Sequence, residues 1–187
     1  MLGQNPHIQQ AQLAYDRAVQ RIRSMDAAFR SKTGVDYNPT VTLIQFDRIL
    51  QAILLHMALI DGDFHRLERK LIRRVGGYAD LMTWLRVNGV PMTWAQAGKL
   101  TVREREVLSQ RLPVLLEHTC NDFVRPLALA DQADPEDFFA QLEGDLGEIA
   151  GCMARVDGKS CSEELSAYVE MLGHLLTDRW KAIVAEG

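Results

Sequence analysis

Between Asn38-Pro39 and Asp61-Gly62 the chain places apolar residues at Leu43, Ile44, Phe46, Ile49, Leu50, Ile53, Leu54, Met57 and Ile60. Steps of three and four are those of an α-helix, and here they leave almost no side of the helix polar. Such a helix has to be wrapped, so the rest of the chain must supply amphipathic helices around it. Asn38 and Pro39 open it in the favoured order, a capping side chain and then proline at the first helical position. It is the predicted centre of the core. No run approaches 18 consecutive apolar residues, so no membrane-spanning segment is expected.

The wrapping helices are legible in the same way. Ala11, Tyr15, Val19, Ile22, Met25 and Phe29 keep to one face of a first helix that Asn5-Pro6 starts and Gly34 ends. A third helix takes Leu67, Leu71, Ile72 and Val75 inward and stops at Gly76-Gly77. Thr93 with Gln96, and Thr101 with Glu104, carry capping-box spacing, so helices are expected to restart at both. Pro113 and Pro126 are expected to break or kink what would otherwise be one long helix. Asp134-Pro135 opens a helix through Phe138, Leu142, Leu146, Ile149 and Met153, and a last helix runs from about Ser162 to Val184. No segment alternates between hairpin turns. The expected fold is all-α, a compact multi-helix domain over residues 1–187.

Asp-Gly occurs twice at equivalent places in this pattern, in "HMALIDGDFHRLERKL" and "CMARVDGKSCSEELSA". Shifting the second by 96 positions also matches Phe46 with Leu142, Leu50 with Leu146, Ile53 with Ile149, Met57 with Met153, Ile60 with Val156 and Ile72 with Tyr168. This reads as an internal duplication of a helix–Asp-Gly loop–helix unit, with repeat halves at about 39–76 and 134–185 and a helical insert at about 77–133. A pseudo-twofold arrangement would bring the two loops to related positions.

Two chemistries fit the motif. Asp and Gly suit a tight turn, and Glu68 and Glu164 stand where a carboxylate in the first turn can reach back to the cap residue's N–H. The motif is then a helix clasp. Alternatively, Asp61, Asp63 and Glu68 with His65, and Asp157 with Glu164, are ligands for a divalent metal ion. The spacing matches the back half of an EF-hand loop, but the front ligand positions fall on Met57 and Leu59, and on Met153 and Arg155, which excludes an EF-hand. Lys159 and Cys161 stand where the first copy has Asp63 and His65, which weakens the second site.

"ALIDGDFHRLERKLI" and "ARVDGKSCSEEL", each following an apolar helix, resemble the tellurite-resistance protein B (TerB-like) family. The resemblance covers roughly Gln45 to Val75 and Phe138 to Leu172, with Asp61, Gly62, Glu68, Asp157, Gly158 and Glu164 on the signature positions. It departs at the cap, often Ser in the family but His65 and Cys161 here, and in the long stretch between the copies. It implies a compact all-α domain with an internal repeat, in a bacterial protein of the cytoplasm or membrane surface linked to metal or chemical stress. It further implies binding of metal ions and protein partners, with no established catalytic activity.

Other chemistry is thin. His118 and Asp122 share a helix face without a second ligand pair nearby, Cys152 lies on an apolar helix, and no phosphate-binding glycine loop occurs. No enzyme is expected. Three cysteines without a disulfide framework, and a start without a signal-peptide pattern, suggest a reduced, cytoplasmic protein. A net charge of −4 argues against nucleic-acid binding. Charge is nevertheless segregated. Arg66, Arg69, Lys70, Arg73 and Arg74 share one helix, whereas Pro126 to Ala154 holds Asp131, Asp134, Glu136, Asp137, Glu143, Asp145 and Glu148 with no Lys, Arg or His before Arg155. These are two solvated faces paired with one another, or docking surfaces for a protein partner. A homodimer and weak association with an anionic membrane surface are further options.

Overall fold

A computed structural model of the chain describes residues 5–60, 64–134, 137–158 and 162–186. Ten α-helices follow one another among the described residues, with no strand: α1 Pro6–Ser24, α2 Asp26–Thr33, α3 Pro39–Ile60, α4 Arg66–Arg74, α5 Leu81–Val87, α6 Trp94–Ala97, α7 Val102–Ala133, α8 Phe138–Met153, α9 Ser162–Leu172 and α10 Asp178–Ala185. The chain is all-α. Asp61, Gly62, Asp63, Pro135, Glu136, Lys159 and Cys161 lie outside the described residues.

α3 is the axis of the bundle. Phe46, Ile49, Leu50, Ile53, Leu54 and Met57 are fully enclosed, α7 and α9 pack along its length, and α1, α4 and α5 close the remaining sides. By length and composition α3 could cross a bilayer, a property that counting uninterrupted apolar runs misses, but 72% of its apolar window is buried inside the fold. Its hydropathy belongs to the core. Tyr15, Phe46 and Phe123 continue that core from α1 through α3 to α7, with successive ring centroids 6.0 and 5.8 Å apart.

Element boundaries follow the capping residues. Asn5 Oδ1 accepts the His7 N–H at 2.9 Å and Asn38 Oδ1 accepts the Thr40 N–H at 3.2 Å, so both Asn-Pro starts act as read. The boxes at Thr93 and Thr101 both close. Gly34 ends α2 with φ +71°, the left-handed conformation that glycine adopts without strain. Three boundaries differ from the sequence reading. The first helix divides at the buried Met25. α8 begins at Phe138, capped by Asp137 in the left-handed conformation, because Asp131 reaches across from α7 to accept the Phe138 and Phe139 N–H groups at 2.5 and 3.2 Å. α7 runs unbroken through Pro113 and Pro126, since packing on α2, α3, α8 and α10 holds a helix that has lost one internal donor at each proline. The last helix is continuous but carries a π-helical turn at Gly173–Thr177.

The two halves of the sequence repeat share burial at Met57 and Met153, Ile53 and Ile149, and Ile72 and Tyr168, whereas Ile60 is exposed and Val156 buried. Their surroundings are not equivalent. α3 packs along α9, but α8 packs mainly along α1. That second contact absorbs acidic charge. Asp145, almost fully buried, accepts from Arg17 Nε at 2.9 Å and Arg21 Nε at 2.7 Å, and Arg17 also pairs with Glu148. Asp145 and Glu148 of the acidic segment are thus paired with α1.

Thr42, Asp47 and Gln51 are the polar residues buried on α3, and the last two stand one turn apart. Asp47 accepts the Tyr15 hydroxyl at 2.8 Å and the Tyr78 and Ala79 N–H groups at 2.6 and 3.0 Å. Tyr15 in turn accepts the Gly77 N–H at 3.0 Å, while Gln51 accepts from Leu81 N–H at 2.8 Å and donates to the Ala79 carbonyl at 3.3 Å. The 76–81 loop is therefore fastened to α3 by side chains that satisfy its backbone. A Cβ on Gly76 would stand 1.8 Å from Gln51 Nε2, so a larger residue there would displace the Gln51 amide.

Burial pushes the Asp47 carboxyl above the ordinary carboxylate range, against the hydrogen bonds that favour its charged form. A folded-state value above the unfolded one means that the native state binds the proton more readily. Stability from this group is therefore full below the unfolded value of about 4 and lost as pH rises through the folded value. Asp47→Asn should abolish this part of the pH dependence in denaturant titrations of both proteins, whereas Asp47→Ala, which orphans several donors, should cost about 3 kcal/mol at neutral pH.

Candidate functional site

α4 starts on a capping box built from residues that rarely serve. His65 Nδ1 accepts the Leu67 N–H at 3.3 Å, and Glu68 Oε2 accepts the His65 N–H at 2.6 Å. Glu68 is only 2% exposed. Glu164, the third residue of α9 as Glu68 is the third of α4, is equally buried. Asp157 stands half-buried in the turn after α8, just before Gly158 at φ +87°. The turn is tied to the start of α1 by Asn5 Nδ2, which donates to the Val156 carbonyl at 3.0 Å. Of the residues read as metal ligands, Glu68, Asp157 and Glu164 are placed in this way, and Asp61 and Asp63 lie outside the described residues. Among the described residues no three His, Cys, Asp or Glu side chains gather where they could hold a metal ion.

The box sets the orientation of everything after it. With Leu71, Ile72 and Val75 turned into the core, Arg66, Lys70, Arg73 and Arg74 are left exposed and Arg69 half-exposed. Facing them is the start of α6, where Thr93, Trp94 and Ala95 complete an open groove of about 800 Å³. Phe64 forms the link between the walls. The Arg69 guanidinium carbon lies 5.9 Å from its ring centre, and Trp94 is tilted against it at 6.4 Å. Trp94 Nε1 also donates to Asp80, at 3.4 Å, beside the Thr83 contacts by which Asp80 caps α5.

Electrostatically the two charged segments have opposite fates. Asp131, Asp137, Glu143, Asp145 and Glu148 all accept hydrogen bonds within the fold. None of the five cations of α4 forms an ion pair among the described residues, and Arg69 Nε is buried without a hydrogen-bond acceptor. The sequence showed the cations but not the aromatic wall, since Phe64, Trp94 and Arg69 are brought together only by the turn of the chain through α5.

The remaining candidates stay apart. His118 is exposed on α7, and Cys120, two residues on, is buried with its thiol pushed up to about 12 by that burial. Cys152 is buried too, and burial raises its thiol as well. Thiols in that state are poor nucleophiles. No protein-family model, curated protein or solved structure matches the chain.

Replacing Glu68 with Ala removes a buried cap and should lower stability by about 1–2 kcal/mol in chemical denaturation, with Glu68→Gln retaining about half of the loss.

Proposed function

We propose that this chain is a non-enzymatic helical interaction module of TerB-like organisation, in which the α4–α6 groove takes an acidic segment of a protein partner. The observation that carries this reading is the set of five α4 cations lining one groove beside Trp94 without an ion-pair partner among the described residues. Carboxylates of an extended acidic segment would meet the guanidinium groups, for which Arg offers paired donors, while an aromatic or apolar side chain of the same segment would lie on Trp94. Within the acidic stretch Asp131, Asp137, Glu143, Asp145 and Glu148 are already engaged with α1, α8, α10 and the π turn. The Asp-Gly…Glu motif is read as the clasp that presents the groove.

A fluorescein-labelled Asp/Glu-rich peptide with one aromatic residue is expected to bind saturably, with quenching of Trp94. Affinity should fall about tenfold or more in an Arg69→Glu, Arg73→Glu variant that keeps its helical circular dichroism and melting temperature, and should fall again at about 0.5 M salt. Equal binding by that variant would remove the proposal. Preference for anionic vesicles or duplex DNA over the peptide would replace the partner class.

A divalent ion bound through Glu68 would compete with the His65 N–H for the same carboxylate. Calorimetric titration of chelator-stripped protein with calcium, magnesium, manganese and zinc is accordingly expected to give no saturable uptake that disappears in Asp61→Asn, Asp157→Asn. Uptake that does disappear there, in a folded variant, would make the repeated motif an ion site.

A further inference from the structure

The outer side of α8 is made of its smallest residues. Ala140, Gly144, Gly147 and Gly151 follow one another at steps of four, three and four, which keeps them on one face over about 16 Å of helix. Ala140 and Gly144 are exposed, and Gly147 and Gly151 are half-buried. α1 covers one flank of this face through Gln141, Asp145 and Glu148, and Tyr168 of α9 stands on the other. The flanking acids Glu143 and Glu148 are held by Thr177 and Arg17, so the stripe between them is uncharged. Glycine is, after proline, the residue that a helix interior tolerates least. Nothing within the chain asks for it at Gly144, where a Cβ would meet no atom within 4 Å, and at Gly147 a Cβ would make only ordinary contact, 3.7 Å from the Tyr168 hydroxyl.

That hydroxyl is itself unsatisfied. Tyr168 is only 7% exposed, and its hydroxyl, turned to Gly147, has no hydrogen-bond partner among the described residues. Leu165 and Val169, on the edge of α9 away from Glu170 and His56, border the stripe with exposed apolar surface. The two ends of the stripe carry opposite charges. Asp137 Oδ1 accepts the Ala140 N–H at 3.1 Å, and Arg155 Nε donates to the Gly151 carbonyl at 2.8 Å. Both side chains are exposed, and neither takes part in an ion pair among the described residues. This order makes the face complementary to itself. In an antiparallel pair of α8 helices, Gly144 of each copy meets Gly147 of the other, Ala140 meets Gly151, and Asp137 is thereby brought to Arg155.

We infer that a second copy of this chain covers the glycine stripe, the two α8 helices lying antiparallel about a twofold axis that passes between Gly144 and Gly147. Every contact is then made twice, as an interface of one face with itself requires. The small side chains let the helix axes approach to about 8 Å, the short end of the range for packed helices. Leu165 and Val169 of each copy add apolar area at the border. The Tyr168 hydroxyl faces the backbone of the second helix, where a carbonyl has a second lone pair to accept it. One helix face on each side places the contact among weak, concentration-dependent associations. It shares no residue with the α4–α6 groove, and its fate is independent of what binds there.

Sedimentation equilibrium over a concentration series should show the wild-type chain passing from monomer to dimer. Gly144→Leu fills space that is open in the single chain, so it should keep or raise the melting temperature of the dilute protein while raising the dimer dissociation constant by about tenfold or more. Arg155→Glu and Asp137→Arg, each with wild-type circular dichroism, should weaken the dimer by setting like charges together at both ends of the stripe. In an equimolar mixture of those two variants opposite charges meet at both ends, so the average mass should return towards the wild-type curve. A wild-type chain that stays monomeric, a Gly144→Leu variant that dimerises as the wild type does, or a mixture no more associated than its components would each overturn the inference.

Discussion

Everything in this molecule is arranged around the need to bury α3 on nearly every side. A helix with an apolar circumference gains stability only when neighbours remove it from water, and no single amphipathic partner has a face wide enough. α7 and α9 take most of its length, and α1, α4 and α5 seal the rest. Two of the polar residues tolerated on its buried surface, Asp47 and Gln51, hold the 76–81 loop. That loop delivers α5 and, beyond it, α6. The wall carrying Trp94 is thus set by two polar side chains in the middle of the core.

Charge follows from the same packing. α8 cannot approach α1 without enclosing Asp145, and an enclosed carboxylate is costly unless cations come with it. Arg17 and Arg21, one turn apart on α1, meet that need. Much of the acidic segment is consumed in this way, by α1 and by capping at Asp131 and Asp137. α4 has no such obligation. Its apolar stripe is satisfied by Leu71, Ile72 and Val75, and its cations face outward into a groove. The chain is mildly acidic overall, yet the charge it leaves uncommitted on this surface is positive.

The repeated Asp-Gly…Glu pattern shows how a short motif can carry two meanings. A glutamate in the first turn of a helix can accept the cap residue's N–H or ligate an ion, and the two uses need the same residue types at the same spacing. Glu68 accepts the His65 N–H from a buried position, and Glu164 is buried to the same degree at the same place in α9. His65 as a cap is unusual, but its Nδ1 provides the acceptor that a Ser or Asp oxygen provides elsewhere.

Most helix positions, the caps at Asn5, Asn38, Thr93 and Thr101, and the apolar faces of the long helices were legible in the sequence, because they depend on residues within one or two turns of each other. Asn5, Asn38, Thr93 and Thr101 act locally and needed no partner from afar. Asp47 and Gln51 were visible as polar residues one turn apart in an apolar helix, but their acceptor and donor groups lie about thirty residues downstream. Continuity of α7 through its prolines, the late start of α8 under Asp131, the pairing of acidic α8 with α1, and the aromatic wall opposite α4 are all long-range. Periodicity determines that a face is buried or exposed. Only tertiary packing decides which face it meets, because the free energy of burial is proportional to area removed from water and carries no direction.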